Sequence, residues 1–290
     1  MELLETIGYS FLTGYGHAVG SADLEAATTR LEQIPLRYRG FAYEGAAMGY
    51  AMLDGLGLAG RQNVAAFLAG PGRPHIYMAY VGVGWACARL PRFRWPSVLP
   101  ADPLLCWLVL DGYGFHQAYF RTRRFVEERW QEPATKWPYP GAADYANRAI
   151  DQGIGRALWF VEGTDVNRVA DRIATFAPPR HRDLWSGAGL AATYAGGVDE
   201  SELRDFWELA GEYRPNVAQA SAFAAEARVL AGLVTPHTEL ATSVFCGMSP
   251  EQAAQASRQI QADLPADGPV PAYEMWRERL AHRFASLGRC

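Results

Sequence analysis

The residues of this 290-residue chain that could perform acid–base chemistry lie beside glycines inside apolar segments. Glu44 precedes Gly45, and His116 closes the segment that begins at Asp111 and contains two glycines. A carboxylate in apolar surroundings must be hydrogen-bonded, paired with a cation, or held as an acid with a raised pKa. A histidine in an aromatic pocket can give and accept a proton. Glu44, His116 and Asp111 are therefore the candidate catalytic residues.

Each candidate also has a purely structural interpretation. Glu44 could pair with a nearby arginine such as Arg37 or Arg39, and His116 could be a hydrogen-bonded core residue. Asp111 and His116 are five positions apart, about 140° around a helix. From a straight helix, both side chains cannot point at one small ligand.

The candidate binding residues are one arginine and a set of aromatic side chains. Arg156 follows Gly155 and could hold a carboxylate through two parallel hydrogen bonds, or form a salt bridge to Asp111 or Asp151. The aromatic rings would suit an unsaturated apolar ligand by burial and offset stacking. The aromatic candidates are Trp85, Phe115, Tyr119, Trp159 and Trp185.

Composition excludes several classes of function. The net charge is −4 and 49% of the residues are hydrophobic; with no basic tract, we expect no nucleic-acid partner. The longest uncharged apolar run, residues 76–88, is too short to span a bilayer, and the acidic N-terminus is unlike a signal peptide. The four widely spaced cysteines are expected to be buried free thiols in a cytoplasmic protein. No motif for a metal, a nucleotide or another cofactor is present, so none is expected.

A recurring Gly-x-Gly pattern predicts the elements that position these residues. The pairs are Gly82 and Gly84, Gly112 and Gly114, Gly153 and Gly155, and Gly187 and Gly189. A glycine inside a helix costs about 1 kcal/mol relative to alanine. Its recurrence indicates that helices approach one another, or a ligand, very closely. The flanking alanines and the length of the apolar runs favour helices over strands, and hence an all-α fold.

Longer repeats predict how these helices are arranged. Residues 21–52 align with residues 163–194 at an offset of 142, with Gly45 opposite Gly187 and Glu44 opposite Ser186. In both segments a short amphipathic helix, with Ser21 or Thr164 as its cap, precedes a glycine-bearing helix. The pattern predicts helical hairpins, compact or solenoid-like. They would form two pseudo-equivalent halves, residues 1–143 and 144–290, packed as one unit, with a connector near residues 127–142.

Four motifs together resemble the domain-of-unknown-function 1702 family across residues 10–285. They are the segments 40–49, 111–116, 153–159 and 183–191, which read GFAYEGAAMG, DGYGFH, GIGRALW and DLWSGAGLA. Proteins of this family accompany enediyne polyketide synthase genes and other bacterial polyene pathways. The resemblance implies an accessory protein of natural-product biosynthesis and transfers no established catalytic residues.

We therefore expect a protein that binds a hydrophobic polyene or polyketide in an aromatic cleft. It would catalyse a cofactor-free isomerisation or cyclisation, with Glu44 or His116 as acid or base and Arg156 orienting a carboxylate or thioester terminus. The alternative is a non-catalytic helical-repeat scaffold that binds pathway enzymes. An enclosed aromatic pocket containing Glu44 or His116 favours the enzyme, whereas an open concave surface favours the scaffold.

Overall fold

The computed structural model describes residues 2–57, 62–133, 143–265 and 268–290. Every regular element in these residues is a helix, so the predicted all-α fold is confirmed. Part of the predicted connector, residues 134–142, lies outside the described residues. The α-helices are α1 (Glu2–Gly20), α2 (Leu24–Glu32), α3 (Leu36–Leu56), α4 (Asn63–Ala69), α5 (Ile76–Cys87), α6 (Cys106–Phe120), α7 (Ala143–Val161), α8 (Val166–Ala174), α9 (Pro178–Tyr194), α10 (Glu200–Ala210), α11 (Arg214–Leu230), α12 (Pro236–Cys246), α13 (Pro250–Ala262) and α14 (Ala272–Ser286).

Seven helices pack side by side in the order α1, α3, α5, α6, α7, α9 and α11, and all of them except α11 contain glycine. Neighbours run in the same direction. Gly45 of α3 lies beside Phe11 of α1, and Gly49 lies beside Ala18, further along α1. The short helices α2, α4, α8 and α10 lie between row helices in the sequence and return the chain to the start of the next one.

Each Gly-x-Gly pair holds one helix between two neighbours. Residues two positions apart are about 200° apart around a helix, on nearly opposite faces. Gly112 of α6 accordingly faces α5, whereas Gly114 faces α7. A Cβ atom on either residue would lie less than 3.0 Å from a backbone carbonyl oxygen, that of Val81 or that of Ile150. Two glycines are needed because the helix has two close neighbours.

The contacts between neighbours are reciprocal. Gly112 of α6 rests on the carbonyl of Val81, and Gly84 of α5 rests on the carbonyl of Val109. Each carbonyl belongs to the residue three positions before the partner's glycine. The same relation holds for Gly114 with Ile150, Gly153 with Asp111, Gly155 with Leu184, and Gly187 with Gln152. Such backbone approach permits Cα–H···O=C contacts, each worth about 0.5–1 kcal/mol.

The row of helices curls so that α3 meets α9 and α11. Phe41 of α3 packs edge-on against Tyr194 of α9, with ring centroids 5.2 Å apart. Arg228 of α11 is buried and donates hydrogen bonds to the backbone carbonyls of Tyr194 and of Arg37, at the start of α3. The helices therefore surround an interior space, and the array is a compact ring rather than an extended solenoid.

Helix bounds in the two aligned segments follow the predicted offset. α2 and α3 begin at residues 24 and 36, and α8 and α9 begin at residues 166 and 178. Both short helices are capped by an aspartate, Asp23 or Asp165, whose carboxylate accepts a backbone N–H of the first turn. The caps predicted at Ser21 and Thr164 are therefore wrong, since the carboxylates take that role. The equivalence of the complete halves, residues 1–143 and 144–290, stays a prediction.

Two further observations bear on the sequence expectations. Cys87, Cys106 and Cys246 are buried, as expected, whereas Cys290 is exposed at the C-terminus, contrary to expectation. Among the described residues, no helix has the length and apolar character needed to cross a membrane.

Replacing Gly155 with alanine should destabilise the protein, because the new Cβ would collide with the backbone carbonyl of Leu184. Relief requires α7 and α9 to separate, and overpacking of this kind costs about 1–3 kcal/mol. Gly16→Ala is the matched control, since nothing lies within 4 Å of the Cβ position there. It should stabilise α1 by about 0.5–1 kcal/mol. Urea unfolding measures both effects. If Gly155→Ala unfolded at the same midpoint as the wild type, the close approach would not be a constraint.

Candidate functional site

A cavity of about 360 Å³ lies inside the ring, with walls from α1, α3, α5, α6, α7 and α9. Its size is within the range of small-molecule binding sites. The wall is largely apolar, and much of it is aromatic. The rings include Phe11, Trp85, Phe115, Tyr119, Phe120 and Phe160. The interior is therefore suited to a flat, unsaturated, apolar molecule.

The structure brings most of the predicted site residues to this one cavity. Those that line it are Glu44, His116, Arg156, Trp85, Phe115 and Tyr119. Asp111 lines a separate, smaller cavity instead. This division agrees with the angle between Asp111 and His116 on α6.

Two predicted tryptophans lie elsewhere. Trp159 and Trp185 do not line the large cavity, and both pack against Phe206 of α10. The indole N–H of Trp159 is satisfied by the carbonyl of Gly196, at 2.9 Å. The two indole side chains fill the space between the ring of helices and the short return helices, so their bulk serves packing.

Glu44 is an acid held in an apolar wall. It is buried on α3, and burial raises its pKa to about 7; the nearby Asp111 adds to the rise and Arg156 opposes it. The cation beside Glu44 is Arg156, with Nη2 4.0 Å from Oε1. The expected pairing with Arg37 or Arg39 is not formed, and Arg39 instead pairs with Glu32. Near neutral pH, Glu44 can therefore both give and accept a proton.

Arg156 is shared unequally between two carboxylates. It forms a direct ion pair with Asp111, which also accepts a hydrogen bond from Gln152 at 2.8 Å. The Gln152 amide in turn donates to the hydroxyl of Tyr273. Glu44 lies at the limit of ion-pair distance and has no such support. Two negative charges beside one buried cation are unfavourable, so Glu44, the less supported carboxylate, takes the proton.

His116 is a neutral imidazole in an aromatic cage. Its ring meets Trp85 edge-on and packs against Phe120, with centroids 5.6 and 4.7 Å apart. Burial, together with the charges of Arg89 and Arg121, lowers its pKa to about 4. Neither ring nitrogen has a hydrogen-bond partner among the described residues. Buried polar groups nearly always have a hydrogen-bond partner. Two buried nitrogens without a protein partner are therefore available to bind a ligand.

Further polar groups on the wall lack a well-formed hydrogen bond. The indole N–H of Trp85 lies near the Glu44 carboxyl without good geometry, and the hydroxyl of Tyr194 has no partner in the described residues. Sequence reasoning missed Tyr194 because its hydroxyl meets the cavity only through closure of the ring. It also missed Arg89, which lines the cavity one turn after Trp85. The spacing of four residues from Trp85 was an available signal.

The smaller cavity, of about 40 Å³, lies on the other side of Arg156 and Tyr194, which line both spaces. It also contains Glu226, whose pKa burial raises to about 7. Glu226 pairs with Arg258 at 3.1 Å. A second buried glutamate with a similar pKa thus stands outside the large cavity, which makes it a control for Glu44.

Comparison with known protein families identifies the family of this chain. A protein-family model described as a protein of unknown function, DUF1702, matches residues 1–284. The chain belongs to this family. The resemblance predicted from the four motifs is thereby confirmed at the level of the DUF1702 family. No curated protein and no solved structure matches the chain. Function must therefore be argued from the cavity. Within the described ranges, no three His, Cys, Asp or Glu side chains are grouped to hold a metal ion.

The stability of the protein should depend on the protonation of Glu44. Burial raises its pKa from 4.5 to about 7, so the folded state retains a proton that the unfolded chain releases. The stabilisation of the folded state that this proton provides is fully present below pH 4.5 and is lost as the pH rises through 7. Glu44→Gln carries a neutral amide of the same shape. As the pH rises from 4.5 to above 7, the free energy of unfolding of Glu44→Gln should therefore increase relative to that of the wild type by on the order of 3 kcal/mol.

Urea unfolding of both proteins at the two ends of the interval measures this difference. Other groups titrate alike in the two proteins and cancel in the comparison. A difference that does not change with pH would show that Glu44 does not titrate there.

Proposed function

We propose that this protein is an accessory protein of an enediyne or polyene polyketide pathway. It binds a hydrophobic polyene in the large cavity and catalyses a cofactor-free isomerisation or cyclisation. The observation that supports this most is the presence of Glu44 and His116 together in one aromatic cavity. The biosynthetic setting rests on the family resemblance alone.

The proposed chemistry is the transfer of one proton to the polyene and the removal of another proton from it. Glu44, protonated in part near neutral pH, adds a proton to one end of a conjugated segment. The positive charge that develops on the polyene faces aromatic side chains of the cavity, which stabilise cations. Neutral His116 removes a proton from another carbon, which shifts the double bonds, or a carbon–carbon bond forms first and closes a ring. Proton exchange with solvent then returns Glu44 to its acid form and His116 to its neutral form. No electrons are gained or lost, so no oxidant or reductant is required.

Arg156 supports Glu44 in this scheme. It is already paired with Asp111 and lies 4.0 Å from Glu44. When Glu44 gives up its proton, the guanidinium stabilises the carboxylate that remains. We therefore assign Arg156 to Glu44 rather than to a carboxylate or thioester terminus of the ligand.

The rival proposal is a scaffold that binds pathway enzymes. It would use an open concave surface, whereas the structure has an aromatic cavity lined by six helices. Incubation with the polyene released by the cognate synthase separates the two. Isomerisation and cyclisation both preserve the mass of the polyene and change its absorbance spectrum. A scaffold leaves the mass and the spectrum of the extracted polyene unchanged.

Glu44→Gln and His116→Ala should each lower product formation by about 10²–10⁴-fold, as expected for loss of a positioned acid or base. Glu226→Gln is the matched control, because it makes the same change at a buried glutamate outside the large cavity. Ser186→Ala, at the position aligned with Glu44, should also be mild.

The measurement is product yield from purified protein, with thermal unfolding used to select folded variants. Full yield from folded Glu44→Gln and His116→Ala would eliminate the enzyme in favour of the scaffold. An equal loss in Glu226→Gln would show that the effect of Glu44→Gln is not specific to the cavity.

A further inference from the structure

The mouth of the large cavity carries an arginine with no anionic partner in the described part of the chain. Arg89 lines the cavity just beyond the end of α5. Its guanidinium lies over the ring of Phe120, 5.3 Å from the centroid. Phe120 is 53% exposed, so the two side chains stand where the cavity meets solvent. No described carboxylate forms an ion pair with Arg89.

The end of α5 does not account for Arg89. Arginines near helix C-termini often bind the last carbonyl groups. Here the indole N–H of Trp95 takes that place, donating to the carbonyls of Cys87 and Leu90 at 3.0 and 3.3 Å. Arg89 is therefore free to face the cavity.

The charges at the two ends of the cavity are opposite in character. At the mouth, Arg89 and Arg121 both act on His116, which holds the local potential positive. Inside, Glu44 and Asp111 already share the single charge of Arg156. A further anion inside would lack a counter-charge and would cost several kcal/mol. Among the described residues that line the cavity, Glu44 is also the only carboxylate. A ligand with one negative end is thus oriented with that end outward.

Glu44 and Arg89 lie at different positions along the cavity wall. Gly82 of α5 lies against the backbone carbonyl of Glu44, whereas Arg89 follows seven residues later, beyond the end of α5. The Glu44 carboxyl therefore meets the ligand away from the end that Arg89 binds.

We propose that Arg89 binds the carboxylate of an unsaturated long-chain acid whose neutral chain occupies the cavity. This inference rests on the proposed function, because it assumes that the cavity holds a polyene. It adds that the substrate class is a polyene carboxylate, and that its reacting carbons lie away from the carboxylate.

The probe is cis-parinaric acid, a conjugated tetraene carboxylic acid whose fluorescence rises in apolar surroundings, and the comparison ligand is its methyl ester. Both are titrated into the full-length wild type, Arg89→Gln, Arg89→Lys and Arg94→Gln at a pH where the acid is ionised. Arg94 is exposed and does not line the cavity, so Arg94→Gln controls for loss of a nearby charge.

Arg89→Gln should weaken binding of the acid about tenfold or more, because a charge-assisted hydrogen bond is lost. Binding of the ester should not change. Arg89→Lys should restore part of the affinity for the acid, and Arg94→Gln should match the wild type. Raising the salt concentration should weaken binding of the acid more than binding of the ester.

The two proposals fail in different ways. If the acid and the ester bind the wild type and Arg89→Gln equally, the role of Arg89 is wrong and polyene binding stands. If Arg94→Gln weakens the acid as much as Arg89→Gln, the effect belongs to the general surface charge and the specific site is wrong. If neither ligand binds the folded wild type, the polyene-binding function fails, and the role of Arg89 fails with it.

Discussion

The close approach of helix backbones at glycine is the constraint on which this structure depends. At each interface between α5, α6, α7 and α9, a glycine of one helix rests on a carbonyl of the next. The contact is possible only where no Cβ intervenes. Because Gly112 and Gly114 lie on opposite faces of α6, the helix is held on both sides. Repetition of this arrangement allows the row to curl until Phe41 meets Tyr194, which encloses the cavity.

The enclosed interior changes the behaviour of the acidic groups within it. Glu44 and Asp111 compete for Arg156, and the direct ion pair and the amide of Gln152 favour Asp111. Glu44 is left as a carboxyl group with a pKa of about 7, produced mainly by its removal from water. His116 is shifted in the opposite direction, to about 4, by the same cause. Burial therefore creates a proton donor and a neutral base in one apolar space.

The sequence predicts the architecture better than the positions of individual rings. The glycine pattern predicts closely packed helices because a close backbone contact requires a residue without a Cβ atom at that position. The angle between Asp111 and His116 likewise anticipates that only one faces the large cavity. By contrast, Trp85 lines the cavity and Trp159 packs against α10, although both stand in apolar helical segments. Burial favours an aromatic ring equally whether its neighbour is protein or ligand, so composition cannot separate them. The proposed role of Arg89 depends on its having no carboxylate partner among the described residues, which only the folded chain reveals.

The separation of roles around each helix has an evolutionary consequence. In α6, Gly112 and Gly114 make the contacts with neighbouring helices, whereas Phe115 and His116 face the interior. In α6, the positions that contact the neighbouring helices are thus different from the positions that face the cavity. Mutation of the second set leaves the backbone contacts intact, so new ligand preferences can arise without loss of the fold. A ring built in this way is a scaffold on which selection can diversify chemistry one lining residue at a time.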